Sequence, residues 1–430
     1  MFDIAILGFG TVGSGVMEVI EKNSDMISQN AAQEIRVKYI VDVRDFTGSP
    51  YESLIIKDFS VVENDPDVKV VVETIGGAGV AYDFTRRSLL KGKSVVTSNK
   101  ELVATHGYEL TQIALEKGVN YLFEASVGGG IPIIRPITQC LAANKINEIY
   151  GILNGTTNYV LTEMVKNGVA FSKALREAQE KGYAEQNPEA DIKGHDVCRK
   201  ICILAALCFG RHVYPELVQT EGIEAVTLDD ISSAGRIGYR IKLLGRAIHM
   251  NSGIAGDRIA GDRIASDRIA GDRIASDCIA ADQIAIYVAP HLVSEENLIA
   301  GVEGVMNGIV VRGNAIGDVM FYGAGAGKLP TASAVVADII DASKHVNARK
   351  WLSWQDGGPD MIYDARLLES AWYVRAADSP EKISGVFGPV SVIDGIKDGE
   401  TAFTTAVMNK NAMDGLLKEL HVLSVFRIID

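Results

Sequence analysis

The stretch Asp3–Gly13, DIAILGFGTVG, decides the fold of the first part of the chain. Its opening residues form an apolar run suited to one buried strand, and glycines at 8, 10 and 13 follow at once. Val12, Val16, Val19 and Ile20 then recur at helical spacing, which predicts a helix from about Val12 to Lys22. A G-x-G-x-x-G spacing says little alone; between a strand and a helix it describes a dinucleotide-binding turn. Gly8 permits the tight turn, Gly10 lets backbone approach a pyrophosphate, and Gly13 lets the helix pack on the sheet with its N-terminus toward the phosphates. Phe9, Thr11 and Val12 complete this turn. The bland alternative is a purely structural glycine turn.

Further strands are expected at Ile35–Val41, Lys69–Glu73, Ser94–Val96 and Tyr121–Phe123, with helices at 82–91 and 107–117. Such alternation predicts an α/β, Rossmann-type, doubly wound parallel sheet over residues 1–130. The pattern changes from Pro132. An apolar helix is expected at 132–143, a strand in INEIYGIL (146–153) and a helix start at NGTTN (154–158). More strands are expected around 236–249, 284–289, 303–306 and 309–313, giving an α+β substrate domain over 131–350. Within it, 322–341 is a loop and helix returning to the first domain. Residues 365–430 read as strand, helix, strand, strand, helix, strand, the ferredoxin-like βαββαβ order.

One segment fits no regular element. IAGDR, IAGDR, IASDR, IAGDR, IASDC and IAADQ stand in tandem over 254–283. A period of five turns each isoleucine about 140° from the last on a helix, and throws successive isoleucines to opposite faces of a strand. A solvated insertion in a hairpin loop is the expectation, since long surface loops cost little closure entropy.

A chain of 430 residues with net charge −13 is large enough for two or three domains and argues against a nucleic-acid or anionic-membrane partner. The N-terminus leads straight into the glycine turn without a signal-peptide pattern, and the longest apolar run, Ile201–Phe209, is too short to span a bilayer. A cytoplasmic enzyme is expected. Cys198, Cys202 and Cys208 fall on an apolar helical pattern, which reads as buried free thiols.

Chemistry concentrates in AQEKGYAEQNPEADIKGHDVCRK, Ala178–Lys200. Gly194 marks a helix start, so Asp196 and Lys200, four apart, share a face. Val197, Ile201, Leu204, Ala205 and Cys208 flank the lysine with apolar side chains, which predicts a partly desolvated amine able to pass a proton to or from a hydroxyl. Glu185 and Asp191 are then left to receive an ammonium group. An exposed helix with an ordinary salt bridge is the alternative. Lys100, in TSNKELVATHG, follows a strand end where open α/β sheets bind ligands, or simply caps a loop at the surface. In FEASVGGGIP (123–132), Glu124 and three glycines suit an all-oxygen cation site or a glycine hinge. Asp42 at the tip of the second strand favours a free ribose hydroxyl, whereas Arg44 and Lys57 favour a 2′-phosphate, leaving NAD and NADP both open.

The pattern A-x3-G-Y-x3-N-P-x2-D-I-x-G-x-D-x3-K from Ala178 to Lys200 closely resembles the homoserine dehydrogenase signature. ILNGTTNY (152–159), TSNK (97–100), VVETIGG (71–77) and the glycine turn are similar to that family in the same order. The resemblance implies reversible oxidation of L-homoserine to L-aspartate 4-semialdehyde with NAD or NADP, on the route to threonine, methionine and isoleucine. It implies Lys200 as proton donor and acceptor, with Lys100 assisting and Asp196 orienting Lys200. It also implies Glu185 and Asp191 on the substrate, and Thr156 and Tyr183 lining the pocket. Thr74, Lys100 and the loop at Gly325 match cofactor contacts. Glu124, with the carbonyls of Val127, Gly129 and Ile131, matches a sodium site. The central domain is expected to form a homodimer or higher homo-oligomer, and the terminal part resembles an amino-acid-binding ACT domain, with threonine as the implied effector. A related semialdehyde reductase and a catalytically silent amino-acid sensor are the competing readings.

Overall fold

The computed structural model describes residues 1–250, the backbone of 273–274, and residues 283–346 and 352–430. The tandem repeat therefore lies outside the described residues, save that Arg273–Ile274 pairs antiparallel with Glu369 and Leu368. The chain divides into two compact units, one of residues 1–145, 202–215 and 321–357, the other of 146–201, 216–320 and 358–430.

The first unit is built on six parallel strands: β1 (Phe2–Leu7), β2 (Ile35–Val41), β3 (Ile55–Ile56), β4 (Val68–Glu73), β5 (Ser94–Thr97) and β6 (Tyr121–Leu122). Their order is β3-β2-β1-β4-β5-β6, so the direction of winding reverses between β1 and β4. Ligands of such sheets bind at that switch point, beyond the strand carboxyl ends. The strands form around recurring buried apolar, often β-branched residues: Ile4, Ile6, Val70, Val72 and Val96 are buried in one core with Val16, Met17 and Ile20 of the helix Thr11–Lys22. Val335 and Ile339 of the helix Lys328–Lys344 join that core. A Cβ on Gly15 would sit 2.9 Å from the Lys328 carbonyl oxygen, so this glycine permits the contact between the two helices.

The second unit holds a mixed sheet. Its main strands are β7 (Ile146–Ile152), β8 (Tyr239–Met250), β9 (Gln283–Ser294), β10 (Met306–Gly313), β11 (Trp372–Ala376), β12 (Ser391–Ile393), β13 (Thr401–Thr404) and β14 (Val422–Ile429). They run in the order β10-β7-β8-β9-β14-β11-β13-β12. Its spine is the long antiparallel pair of β8 and β9. The C-terminal residues show strand, helix Pro380–Phe387, two strands, helix Lys410–Leu417 and strand in the expected order, and β14 joins the sheet by pairing parallel with β9.

Three local expectations are corrected. The helix expected over 132–143 reduces to a short helical segment ending in the π-helix Pro136–Cys140. Pro136 cannot donate an intrahelical bond, and the Leu141 amide reaches back five residues to its carbonyl at 2.8 Å. The strand expected at 303–306 starts only at Met306, because Gly304 turns the chain at φ +62°. The helix expected over 107–117 begins at Lys100, where the Asn99 side chain caps it. Gly107 breaks the sequence pattern but not the helix; it makes room for Trp354, whose ring would lie 2.9 Å from a Cβ there.

Gly151 and Gly245 are cross-strand neighbours on β7 and β8. A Cβ on Gly245 would lie 2.9 Å from Val197 and 3.1 Å from Ile201, so the absent side chain sets how closely the helix His195–Phe209 lies on the sheet. Gly245→Val is expected to cost about 1–3 kcal/mol through overpacking and to displace the turn of helix that carries Lys200. Thermal melting and kcat measured side by side should fall together; an unchanged melting temperature would contradict this packing account.

Candidate active site

In the second unit, strand β7 ends at Ile152, and Leu153 and Asn154 lead into the helix Gly155–Asn167. Asn154 caps that helix, its Oδ1 accepting from the Thr157 amide at 2.8 Å. Its Nδ2 points the other way and donates to Asp191 at 2.8 Å and to Asp196 at 3.0 Å. Asp196 and Lys200, one helical turn apart, form an ion pair at 3.0 Å. The Lys200 amine also donates to the Leu153 carbonyl at 2.7 Å. Lys200 is 6% exposed and Asp196 3%, so this ion pair lies in the interior of the unit. Gly194 starts the helix at φ +80°, a conformation that favours glycine, and packs on Thr220 and Val288.

Asp191, Asp196 and Lys200 are thus brought together, with Asn154 as their hub. Thr156 and Tyr183 meet each other, the Thr156 hydroxyl donating to the Tyr183 carbonyl at 2.7 Å. The Tyr183 ring is 46% exposed and lies 5.1 Å from that of Tyr159. Glu185 is exposed, and its carboxylate makes no hydrogen bond or ion pair among the described residues.

In the first unit, Gly8 turns at φ +88°, and a Cβ on Gly13 would fall 2.1 Å from the Gly8 carbonyl oxygen. Gly10 has nothing nearer than 3.9 Å. Phe9 is buried and packs edge-on against Phe46 and Tyr51, while Thr11 and Val12 open the following helix. The Thr74 hydroxyl donates to the carbonyls of Leu7 at 3.0 Å and Gly8 at 2.8 Å, closing the glycine turn from β4. Asp42 accepts from the Phe9 amide at 2.7 Å and pairs with Arg44 at 2.8 Å, and that guanidinium holds its carboxyl well below the usual carboxylate range. Lys57 pairs instead with Asp45 at 2.6 Å. Lys100 is the first residue of the helix that Asn99 caps. Gly325 presents its carbonyl to Gly129, where a Cβ would lie 2.3 Å away.

The Glu124 carboxylate is engaged by backbone amides. Its oxygens accept from the amides of Ile133 at 2.7 Å, Ile134 at 2.8 Å and Arg135 at 2.9 Å, so it caps the helical segment that follows. No cluster of three His, Cys, Asp or Glu side chains is arranged to hold a metal among the described residues. Cys198 and Cys202 are buried outside any disulfide and Cys208 is half-buried, while Cys140 is exposed.

Sequence reasoning missed Asn154 and the Leu153 carbonyl. The signal for Asn154 was available: an Asn between a strand and a helix start is a cap. Nothing in the sequence announces that its second amide atom reaches residues 37 and 42 positions away.

A sequence description of homoserine dehydrogenase matches residues 132–340, and one of the homoserine dehydrogenase NAD-binding domain matches residues 8–124. The homoserine dehydrogenase of Pseudomonas aeruginosa is 39% identical over 407 residues, covering 91% of this chain and 84% of that protein. The chain belongs to the homoserine dehydrogenase family. The crystal structure of a homoserine dehydrogenase from Thiobacillus denitrificans superposes with a TM-score of 0.84 at 34% identity, covering 100% of this chain and 98% of that one. A hyperthermophilic archaeal homoserine dehydrogenase solved in complex with NADPH gives 0.60 at 27% identity, covering 80% of this chain and 97% of that one. As a homoserine dehydrogenase, the chain is an oxidoreductase with a nicotinamide-cofactor domain in its first unit. No described helix is long and apolar enough to cross a membrane.

Asn154→Asp keeps the helix cap but sets a third carboxylate against Asp191 and Asp196. Asn154→Ala loses the cap, worth about 1 kcal/mol, without adding charge. At pH 7 the Asp variant is expected to melt below the Ala variant, and the gap should close as the pH falls toward 4 and carboxylates protonate. Melting curves at both pH values decide; an Asp variant as stable as wild type at pH 7 would remove Asn154 from the hub.

Proposed function

We propose that this chain interconverts L-homoserine and L-aspartate 4-semialdehyde with Lys200 moving the proton. The observation that carries the reading is the desolvated Lys200 amine, fixed by a backbone carbonyl and by Asp196. A nicotinamide cofactor, when bound, supplies or takes the hydride. In its neutral form the Lys200 Nζ takes the hydroxyl proton during oxidation, and as the ammonium it returns that proton during reduction. Asp196 and the Leu153 carbonyl hold that amine at one point, so the proton's route does not depend on a flexible side chain. Asp191, steered by Asn154, and Glu185 receive the substrate ammonium, while Lys100 assists at the substrate oxygen. Thr156 and Tyr183 shape the pocket wall.

The pairing of Asp42 with Arg44 supports use of both NAD and NADP. The carboxylate would accept from a free ribose hydroxyl, and the guanidinium would donate to a 2′-phosphate. The archaeal neighbour's NADPH complex supports a nicotinamide cofactor of this kind. Sodium has no step in this scheme; Glu124 with the carbonyls of Val127, Gly129 and Ile131 would hold it. A cytoplasmic homo-oligomer, with residues 365–430 as an ACT-like regulatory domain, completes the reading.

Three measurements test it. Homoserine-dependent reduction of the dinucleotide should appear with NAD and with NADP, and Lys200→Ala should lower kcat by about 10²–10⁴-fold with little change in cofactor affinity; normal turnover by that variant removes the proton assignment. Asp42→Ala should shift the kcat/KM ratio toward NADP, and an unchanged ratio would dismiss the ribose role. Millimolar threonine should inhibit, and full activity in its presence would set aside the regulatory reading of the terminal domain.

A further inference from the structure

Glu73, the last residue of β4, is fully buried in the first unit at the carboxyl edge of the parallel sheet. A carboxylate there is expensive unless several donors converge on it. They do. The Thr97 hydroxyl donates to one oxygen at 2.5 Å and the Ile75 amide to the other at 2.7 Å. Burial pushes the Glu73 carboxyl up, while the Thr97 hydroxyl and the Ile75 and Gly76 amides pull it back. The Thr97 oxygen in turn accepts from the Asn99 amide at 2.9 Å. Asn99 caps the helix that opens with Lys100, accepting from the Leu102 amide at 3.1 Å, and its Nδ2 donates to the Gly77 carbonyl at 2.6 Å.

This one side chain therefore ties together two loops, 74–77 after β4 and 97–99 after β5. Gly76 and Gly77 both adopt positive φ, at +87° and +68°, and no side chain of their own steadies them. The loop's shape rests on Glu73 from one end and Asn99 from the other. Thr74 belongs to the same loop and closes the glycine turn of β1. Structural stability alone would be served by an apolar residue at a fully buried strand end; an acidic one with donors from both adjoining loops fixes their relative geometry.

We propose that Glu73 is a positioning residue, which through Thr97 and Asn99 sets the Lys100 helix terminus and through the Ile75 and Gly76 amides sets the cofactor-side loop. The proposal rests on Lys100 and the 74–77 loop serving substrate and cofactor, as described above. It deepens that reading by naming what holds them.

The test uses the full chain and the variants Glu73→Ala, Glu73→Gln, Thr97→Val and Lys100→Ala. Turnover of homoserine, fluorescence titration with NADPH and NADH, and thermal melting are read for each. Glu73→Ala should lose about 100-fold in kcat, the scale of a misplaced catalytic group, and bind the reduced dinucleotide about 10-fold more weakly. Glu73→Gln, which keeps an acceptor for the Ile75 amide and a partner for Thr97, should restore both to within about 3-fold. Thr97→Val preserves shape and removes the link to Asn99; it should lower kcat while leaving dinucleotide affinity near wild type. Combining Glu73→Ala with Lys100→Ala should cost no more kcat than Lys100→Ala alone. Additive losses in the double variant, or wild-type kcat in both Glu73→Ala and Thr97→Val, would overturn the positioning role. Should homoserine prove not to be the substrate, the dinucleotide titration still reads the loop: unchanged affinity in a folded Glu73→Ala protein would overturn it independently of the reaction.

Discussion

A lysine amine buried beside an aspartate, on a helix pressed against a sheet, is the constraint that organises the second unit. Lys200 is one helical turn from Asp196, yet that pair by itself would leave two ammonium hydrogens and several carboxylate lone pairs dry. Burial is tolerable only if other groups complete the set, because leaving a charge buried without its partner costs about 3–5 kcal/mol. The Leu153 carbonyl and the Asn154 amide contribute to that set, and both come from the turn after β7. The helix must therefore approach that turn closely, and glycine at 245 on the neighbouring strand is what lets it. A small residue in a strand and a charged residue on a helix are two halves of one requirement.

Much of this was legible in the sequence, and the reason is periodicity. The strands of the parallel sheet are short segments rich in buried apolar residues, and Ile35–Val41 is observed with the bounds that its sequence pattern defines. The four-residue spacing of Asp196 and Lys200 fixes their contact once the helix is granted, and Gly194 at positive φ supplies its start. Local chemistry translated directly into local geometry.

What stayed hidden depends on contacts distant in sequence. The Glu73–Thr97 bond spans 24 residues, and the Asn154 bonds span 37 and 42. A lone glutamate ending a strand, VVVE, looks like the polar edge of an ordinary β-strand until the neighbouring strand's threonine is brought beside it. Glycines misled in the opposite direction. Gly107 suggested a helix boundary but accommodates Trp354, and the apolar content of 132–143 suggested a full helix that Pro136 prevents. The Glu124 carboxylate also satisfies the amides that an incipient helix leaves unpaired, which acid and glycines standing together did not announce.

The two units solve their strand-to-helix turns with the same residue. Asn99 follows β5 and Asn154 follows β7, and each uses its carbonyl oxygen to cap the helix and its amide nitrogen to reach a second group. Aspartate would cap as well, but it has no donor to offer and would add a negative charge. Beside Asn154 stand two carboxylates, and Asn99 lies against a buried one through Thr97. Serine or threonine could donate or accept through one short hydroxyl, too short to serve a cap and a distant carboxylate at once. The choice of asparagine at both turns follows from the electrostatics of what lies next to the cap. At each turn the helix start, a nearby lysine and the neighbouring acid become parts of one hydrogen-bonded piece of structure.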